Sequence, residues 1–190
     1  MLRKEMKLQT RLNIMNKTAL LLQEAGFLRV SSKDIAEISN VSQGSIFLHF
    51  NTKENLLTEV IEEELEKFET EIKNKCITNT SSDNFVKSYI DIIILHEGML
   101  SRIYKDIGYL PDVIKKHVQN LDSLIKNLFF ENYRENSEKK ISIVDTFIAI
   151  ESFLAQVEKN LMDKEIYSDF NSIIKQKRGR LIKLYKMLMG

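Results

Sequence analysis

Apolar side chains recur at spacings of three and four along most of the chain, the period of a helix with one buried face. Leu57, Ile61, Leu65, Phe68 and Ile72 form one such stripe, and Ile143, Phe147, Ile150, Leu154, Val157 and Leu161 a second. Phe170, Ile174, Leu181, Leu184 and Leu188 make a third, which Lys177 interrupts. A single proline, six glycines and no tryptophan in 190 residues leave few strand or turn signals, so an all-α chain of about nine helices is predicted. Breaks set the later elements. Thr52 caps a long helix over Lys53–Lys75, the polar segment from Thr78 to Ser82 ends it, and a further helix runs from Asp83 to about His96. Gly98 then sets off a short helix ending at Lys105, Gly108 and Pro111 mark a loop, and the next helix reaches Tyr133. The polar stretch from Arg134 to Lys140 precedes two final helices, about Ile141 to Met162 and Ser168 to Met189.

Between Val30 and Glu54 the pattern tightens into two short helices joined by a turn. Ser31 and Asp34 have the spacing of a capping box, which opens a helix near Ser32. Ile35, Ala36 and Ser39 give it a small or apolar face, with Lys33 and Glu37 opposite. Asn40 suits the turn because asparagine tolerates positive φ, and Val41 plugs the space between the helices. Ser42 caps the second helix, in which Ile46 and Phe50, four apart, face inward. Its other side carries Gln43, Gly44, Phe47 and Leu48, a set that makes sense against another molecule. In a major groove Gln43 can pair with an adenine edge, apolar side chains can touch a thymine methyl, and Gly44 lets backbone approach closely. Ser32, Lys33, Ser42, Ser45, His49 and Lys53 complete the candidate DNA-binding set, His49 and Lys53 as phosphate partners.

The same residues carry a family resemblance. Gly26-Phe27, Ser31-Ser32, Asp34-Ile35-Ala36, Val41-Ser42, Gly44-Ser45-Ile46-Phe47, His49-Phe50, Thr52-Lys53-Glu54 and Leu56-Leu57 follow one another as in the amino-terminal domain of TetR/AcrR-type transcriptional regulators. The match runs from about Lys7 to Glu66; beyond it the resemblance implies architecture only. It implies a three-helix DNA-binding domain with a helix-turn-helix over 1–55, then a larger helical ligand-sensing and dimerisation domain over 56–190. Phe47 and Leu48 depart from the polar aromatics usual in the family, so those phosphate bonds are absent and a different operator is expected. Asn40 stands for the usual turn glycine, and Thr18 for alanine in the first helix.

Charge agrees with a reading head. The chain has 28 basic and 27 acidic residues, yet Met1 to Lys53 holds 8 basic against 4 acidic. Arg3, Lys4, Lys7 and Arg11 are placed to follow a phosphate backbone, where counterion release supplies affinity. The run Glu62, Glu63, Glu64, Glu66, Glu69 and Glu71 is read as the solvated face of the long helix.

The last two helices are the expected homodimer surface, with Phe147, Ile150, Leu154, Val157, Leu161, Ile174, Leu181, Leu184 and Leu188 at the interface. Val144, Ile148 and Phe153 widen the first stripe, leaving apolar surface for a partner copy to cover. A twofold dimer would set two reading helices about 34 Å apart in successive major grooves. For a small-molecule inducer the candidate pocket is Tyr89, Ile93, His96, Met99, Ile103, Tyr104, His117, Phe147 and Glu151, within a wider aromatic and apolar set that also forms core. Asp91 and Glu151 are positioned for a cationic ligand.

Other functions are not indicated. The three histidines are far apart, one cysteine, Cys76, permits neither an internal disulfide nor a cysteine metal site, and no glycine-rich phosphate loop is present, so no enzyme activity, cofactor or metal is expected. No apolar run is membrane-length and the amino terminus is too polar for a signal peptide, so a cytoplasmic protein without a membrane partner is expected. These features predict a regulator, a repressor by resemblance, leaving a palindromic double-stranded operator when a small apolar or amphipathic ligand binds. A helical protein-interaction module that retains the fold, or a ligand-independent DNA-binding regulator, are the alternatives.

Overall fold

The computed structural model describes residues 2–137, 141–163 and 172–189, with the side chains of Leu2 and Arg3 excepted. Expectations placed on Arg3, Ser168, Phe170 and the end of the Arg134 to Lys140 stretch lie outside the described residues. Among them are eight α-helices: α1 (Leu2–Ala25), α2 (Ser32–Ser39), α3 (Gln43–Phe50), α4 (Lys53–Lys75), α5 (Ser82–Asp106), α6 (Asp112–Asn136), α7 (Ile143–Met162) and α8 (Ile173–Met189). A 3-10 turn at Ile107–Tyr109 joins α5 to α6.

The head forms as local rules require. Ser31 Oγ accepts from the Asp34 amide at 3.2 Å while the Asp34 carboxylate accepts from the Ser31 amide at 3.0 Å, a closed capping box. Asn40 adopts φ 53°, the left-handed turn expected of it. Ile35, Ala36 and Ser39 of α2 and Ile46 and Phe50 of α3 are buried. Thr18, fully buried, donates to the Ile14 carbonyl at 2.7 Å, so the hydroxyl is satisfied within its own helix. A second positive φ, 64° at Asn51, had no sequence signal; the Thr52 amide reaches back to the Phe50 carbonyl at 2.8 Å across this γ-turn and launches α4.

One boundary differs from expectation. Gly98 does not break the chain: α5 runs through it unbroken to Asp106. A Cβ there would lie 2.6 Å from Gln23 Oε1, so the glycine leaves room for the end of the Gln23 side chain between α5 and α1. The α4 stripe Leu57, Ile61, Leu65, Phe68 and Ile72 is buried as read, and its glutamates pair along the helix, as Glu63 and Glu64 do with Lys67 and Glu69 with Lys73.

Helix α5 is the central strut of the larger bundle, packed against α1, α4, α6, α7 and α8. Its polar buried residues act as fasteners. Ser101 Oγ donates to the Leu161 carbonyl at 2.6 Å, closing the end of α7. Glu97, 2% exposed, accepts from the Ile173 amide at 2.8 Å, the Ile174 amide at 3.4 Å and the Ser172 hydroxyl, supplying from another helix the acceptor that the start of α8 needs. Lys177, which interrupts the α8 stripe, donates to Asn160 Oδ1 at 2.6 Å on α7. Stranding the α8 amides without Glu97 costs about 1–3 kcal/mol. Glu97→Ala is therefore expected to lower Tm and to speed amide exchange selectively at residues 173–176; uniform exchange across the chain would contradict this assignment.

Candidate nucleic-acid interface and inner cavity

The second helix of the head turns one side out. Leu48 is 74% and Phe47 42% exposed, and Gln43 and Gly44 lie on the same open surface. Two buried side chains hold the opposite side: Ile46 and Phe50 sink into the head, and the Arg11 guanidinium stacks over the Phe50 ring at 4.5 Å. Ser42 Oγ accepts from the Ser45 amide at 3.1 Å, fixing the helix start. Between α2 and that start lies an open concavity of about 550 Å³ lined by Lys33, Ala36, Glu37, Asn40, Val41, Ser42 and Gln43. Ser32 and Ser45 are half-buried at the first turns of their helices. Gly44 has no neighbour within ordinary packing distance of a Cβ except Ser42 Oγ at 3.8 Å, and its φ is not positive. Nothing inside the described chain requires a glycine there.

Three cations differ from their expected roles. Arg11 pairs with Glu59 on α4 and donates to Met15 Sδ, so it ties α1 to α4 and does not stand free for phosphate. Lys53 donates to the Val30 carbonyl at 3.3 Å and lies 3.7 Å from Glu54, bracing α4 against the start of α2. His49 is half-buried with its Nδ1 enclosed and unpartnered, and burial, then the nearby Lys7 and Arg11 charges, depress its pKa. An imidazole held neutral is a weak phosphate partner. Lys4, Lys7 and Lys33 remain exposed.

The expected inducer pocket is regrouped. A cavity of about 50 Å³ opens among α4, α5, α6 and α7, and only Tyr89, Ile93 and Tyr104 of the expected set line it. Met99 and Ile103 instead wall a smaller gap of about 10 Å³ toward α1. His96 and His117 turn to α4, where their Nε2 atoms lie 3.6 Å from Glu71 and 3.3 Å from Glu69. Phe147 is on the outer side, stacked on Phe130 at 4.7 Å, and Glu151 pairs with Lys126 at 2.9 Å. Asp91 is held by Arg178 in two bonds of 2.6 and 2.8 Å. The acidic lining is formed by two residues that sequence reasoning missed, Asp122 and Glu158. A signal existed: Asp122 falls four after Val118 and three before Ile125, and Glu158 four after Leu154, inside apolar stripes where a carboxylate has no ordinary place.

The dimer expectation needs a similar correction. Ile150, Val157, Leu161, Ile174 and Leu181 are buried in the chain's own core, and Leu154, Leu184 and Leu188 pack against it. Phe153, read as surplus, is fully buried. The outward apolar residues are Ile143, Val144, Ile148 and Met162 on α7 and Met187 on α8, with Phe147 at their margin.

No group of three or more potential metal ligands gathers among the described residues. Burial pushes the Cys76 thiol up to about 12, which keeps it protonated at neutral pH. No described helix is long and apolar enough to cross a membrane.

Residues 14–60 match the family model of bacterial regulatory proteins, tetR family. No curated protein matches the chain. Its fold is similar to that of a TetR transcriptional regulator from Legionella pneumophila, with 20% identity and TM-score 0.72 over 92% of this chain and 94% of that one. It is also similar to the fatty acid degradation regulator FadR from Bacillus halodurans, at 15% identity and TM-score 0.68 over 95% of each. A third is the transcriptional regulator FadR from Bacillus subtilis in complex with stearoyl-CoA, at 11% identity and TM-score 0.66 over 92% and 96%. The chain thus has a TetR-type head and the all-α fold of TetR/AcrR DNA-binding transcriptional regulators.

Burial raises the Asp122 carboxyl above its ordinary range, outweighing the opposing effects of the Tyr104 hydrogen bond and Lys126. An acid whose folded pKa is raised keeps its proton to higher pH in the folded chain, so its cost is absent below the unfolded pKa and grows as pH rises through the folded one. Asp122→Asn is expected to raise Tm at neutral pH, with the gain vanishing below about pH 4, near the unfolded carboxylate pKa. A gain that persists in acid would show that burial of charge is not its cause.

Proposed function

We propose that this TetR-type chain is a dimeric DNA-binding transcriptional regulator, a repressor released from a palindromic operator when a small amphipathic ligand enters the body. The observation that carries the DNA reading is the outward face of α3: Gln43, Gly44, Phe47 and Leu48 exposed on a helix anchored by Ile46 and Phe50. A glycine costs about 1 kcal/mol in a helix interior. Gly44 repays nothing inside the described chain, which favours close approach by an outside surface. The adjoining concavity, with Lys33 on its wall, suits one phosphate strand while Gln43 reaches a base edge.

Exposed apolar residues along α7, with Met187 near the end of α8, support a homodimer across these helices. They replace the inward stripe as the proposed interface. A cavity of about 50 Å³ has room for a few waters, far below the roughly 300 Å³ of a typical ligand site. A ligand must therefore spread the walls, and two of those walls lead to the head. Phe68 belongs to α4, which follows directly from the head, and Leu100 and Tyr104 belong to α5. Near its end, Arg102 Nε donates to the Gln23 carbonyl at 3.0 Å and Asp106 accepts from the Phe27 amide at 2.7 Å. Ligand favouring a wider cavity would shift this grip on α1 and move the reading helices, a population shift that operator opposes by the same factor.

Selection from random duplexes followed by gel shift tests the DNA reading. With the selected site, Gln43→Ala is expected to relax preference at one base pair, costing about 1–3 kcal/mol there. Lys33→Ala should weaken all sequences alike and reduce the salt slope by about one. No duplex held above nonspecific background would instead favour a protein-interaction module. In sedimentation, Ile148→Glu is expected to convert dimer to monomer; an unchanged mass would place the interface elsewhere.

A further inference from the structure

We propose that the inner cavity is a binding site for an organic cation, an amine or quaternary ammonium carried on a compact apolar body. The proposal rests on the reading that the body takes a ligand, and it names the class. Two carboxylates, Asp122 on α6 and Glu158 on α7, line a cavity with Lys126, apolar side chains and the aromatic residues Phe68, Tyr89 and Tyr104. The hydrogen bonding there is incomplete. Asp122 accepts one bond, from the Tyr104 hydroxyl at 3.1 Å, and Glu158 has no hydrogen bond or ion pair among the described residues. Tyr89 is only 5% exposed, and its hydroxyl has no partner among the described residues on the cavity wall it shares with the two acids. The Tyr89 hydroxyl and the two half-buried carboxylates thus lack a full set of hydrogen-bond partners on a largely apolar wall.

The one cation on the wall is shared: the Lys126 charge opposes the rise of both acids without outweighing their burial. Lys126 pairs with Glu151, which does not line the cavity, at 2.9 Å. An anion entering the cavity would meet two carboxylates and a shared lysine, and a neutral apolar ligand would leave the acids as they are. An ammonium group satisfies them and can sit against aromatic faces. The acids are close enough to sense each other: Glu158 is raised first by burial and then by Asp122. This repulsion at Glu158 is what a guest cation would relieve.

Isothermal titration of the full chain with phenylbutylamine and its trimethylammonium analogue, against phenylbutanol and phenylbutyrate, tests the class. The cations are expected to bind at least about tenfold more tightly than the alcohol, and the carboxylate not measurably. The double variant Asp122→Asn, Glu158→Gln, checked for folding by circular dichroism, should reduce that preference to about threefold or less. Tyr89→Phe, which keeps the ring, should weaken cation binding while leaving alcohol binding unchanged. Alcohol or carboxylate binding as tight as the amine, no amine binding, or a preference that survives in the double variant would overturn the proposal. The same compounds added to the operator gel shift separate the two readings. Release by the alcohol or carboxylate alone would keep ligand control and discard the cation class; selective cation binding without release would keep the site and discard ligand control.

Discussion

An eight-residue helix is too short to persist in water by itself, and every proposed base contact depends on one such helix. Helix α3 exists because Ile46 and Phe50 are buried in the head, with Arg11 laid across the Phe50 ring and tied to Glu59. That anchorage draws a residue from α1 and another from α4 into one contact. The orientation of the outward face is therefore a property of all the helices around it, and the end of α3 passes directly, through Asn51 and Thr52, into the long helix that enters the body.

The head was largely legible because its determinants are local. Capping pairs such as Ser31 with Asp34, a turn asparagine and an i,i+4 apolar pair act within a few residues, so their spacing in the chain is their spacing in space. Side-chain partners were less legible. Arg11 and Lys53 looked like free cations because Glu59 lies 48 residues away and the Val30 carbonyl 23 away. Gly98 read as a break for the same reason: the Gln23 side chain that occupies the space beside it arrives by tertiary packing.

In the body, periodicity identified faces but not their direction. The α7 stripe from Ile150 to Leu161 faces the chain's own core, and the helix has a second apolar edge at Val144 and Ile148. Both edges have the same spacing, so only the position of α5 tells inner from outer. The cavity was harder still. Its acids arrive on different helices, and their proximity comes from packing around α5; of the histidines that seemed natural ligand anchors, His117 is taken by Glu69 on α4 and His96 is turned toward Glu71 there.

The last stretch of α5, from Gly98 to Asp106, is only about two and a half turns long at 3.6 residues per turn. Successive residues advance by about 100°, so Leu100 and Tyr104 project to one flank while Arg102 and Asp106, two steps along, project to nearly the reverse. The stub works like a key with teeth on both edges. In the proposed response, a roll that makes room on the chamber flank would also shift the flank that grips the end of α1. Under the proposed ligand response, a substitution that loosens this roll, even one touching neither guest nor duplex, would leave both proposed sites intact and deaf to each other.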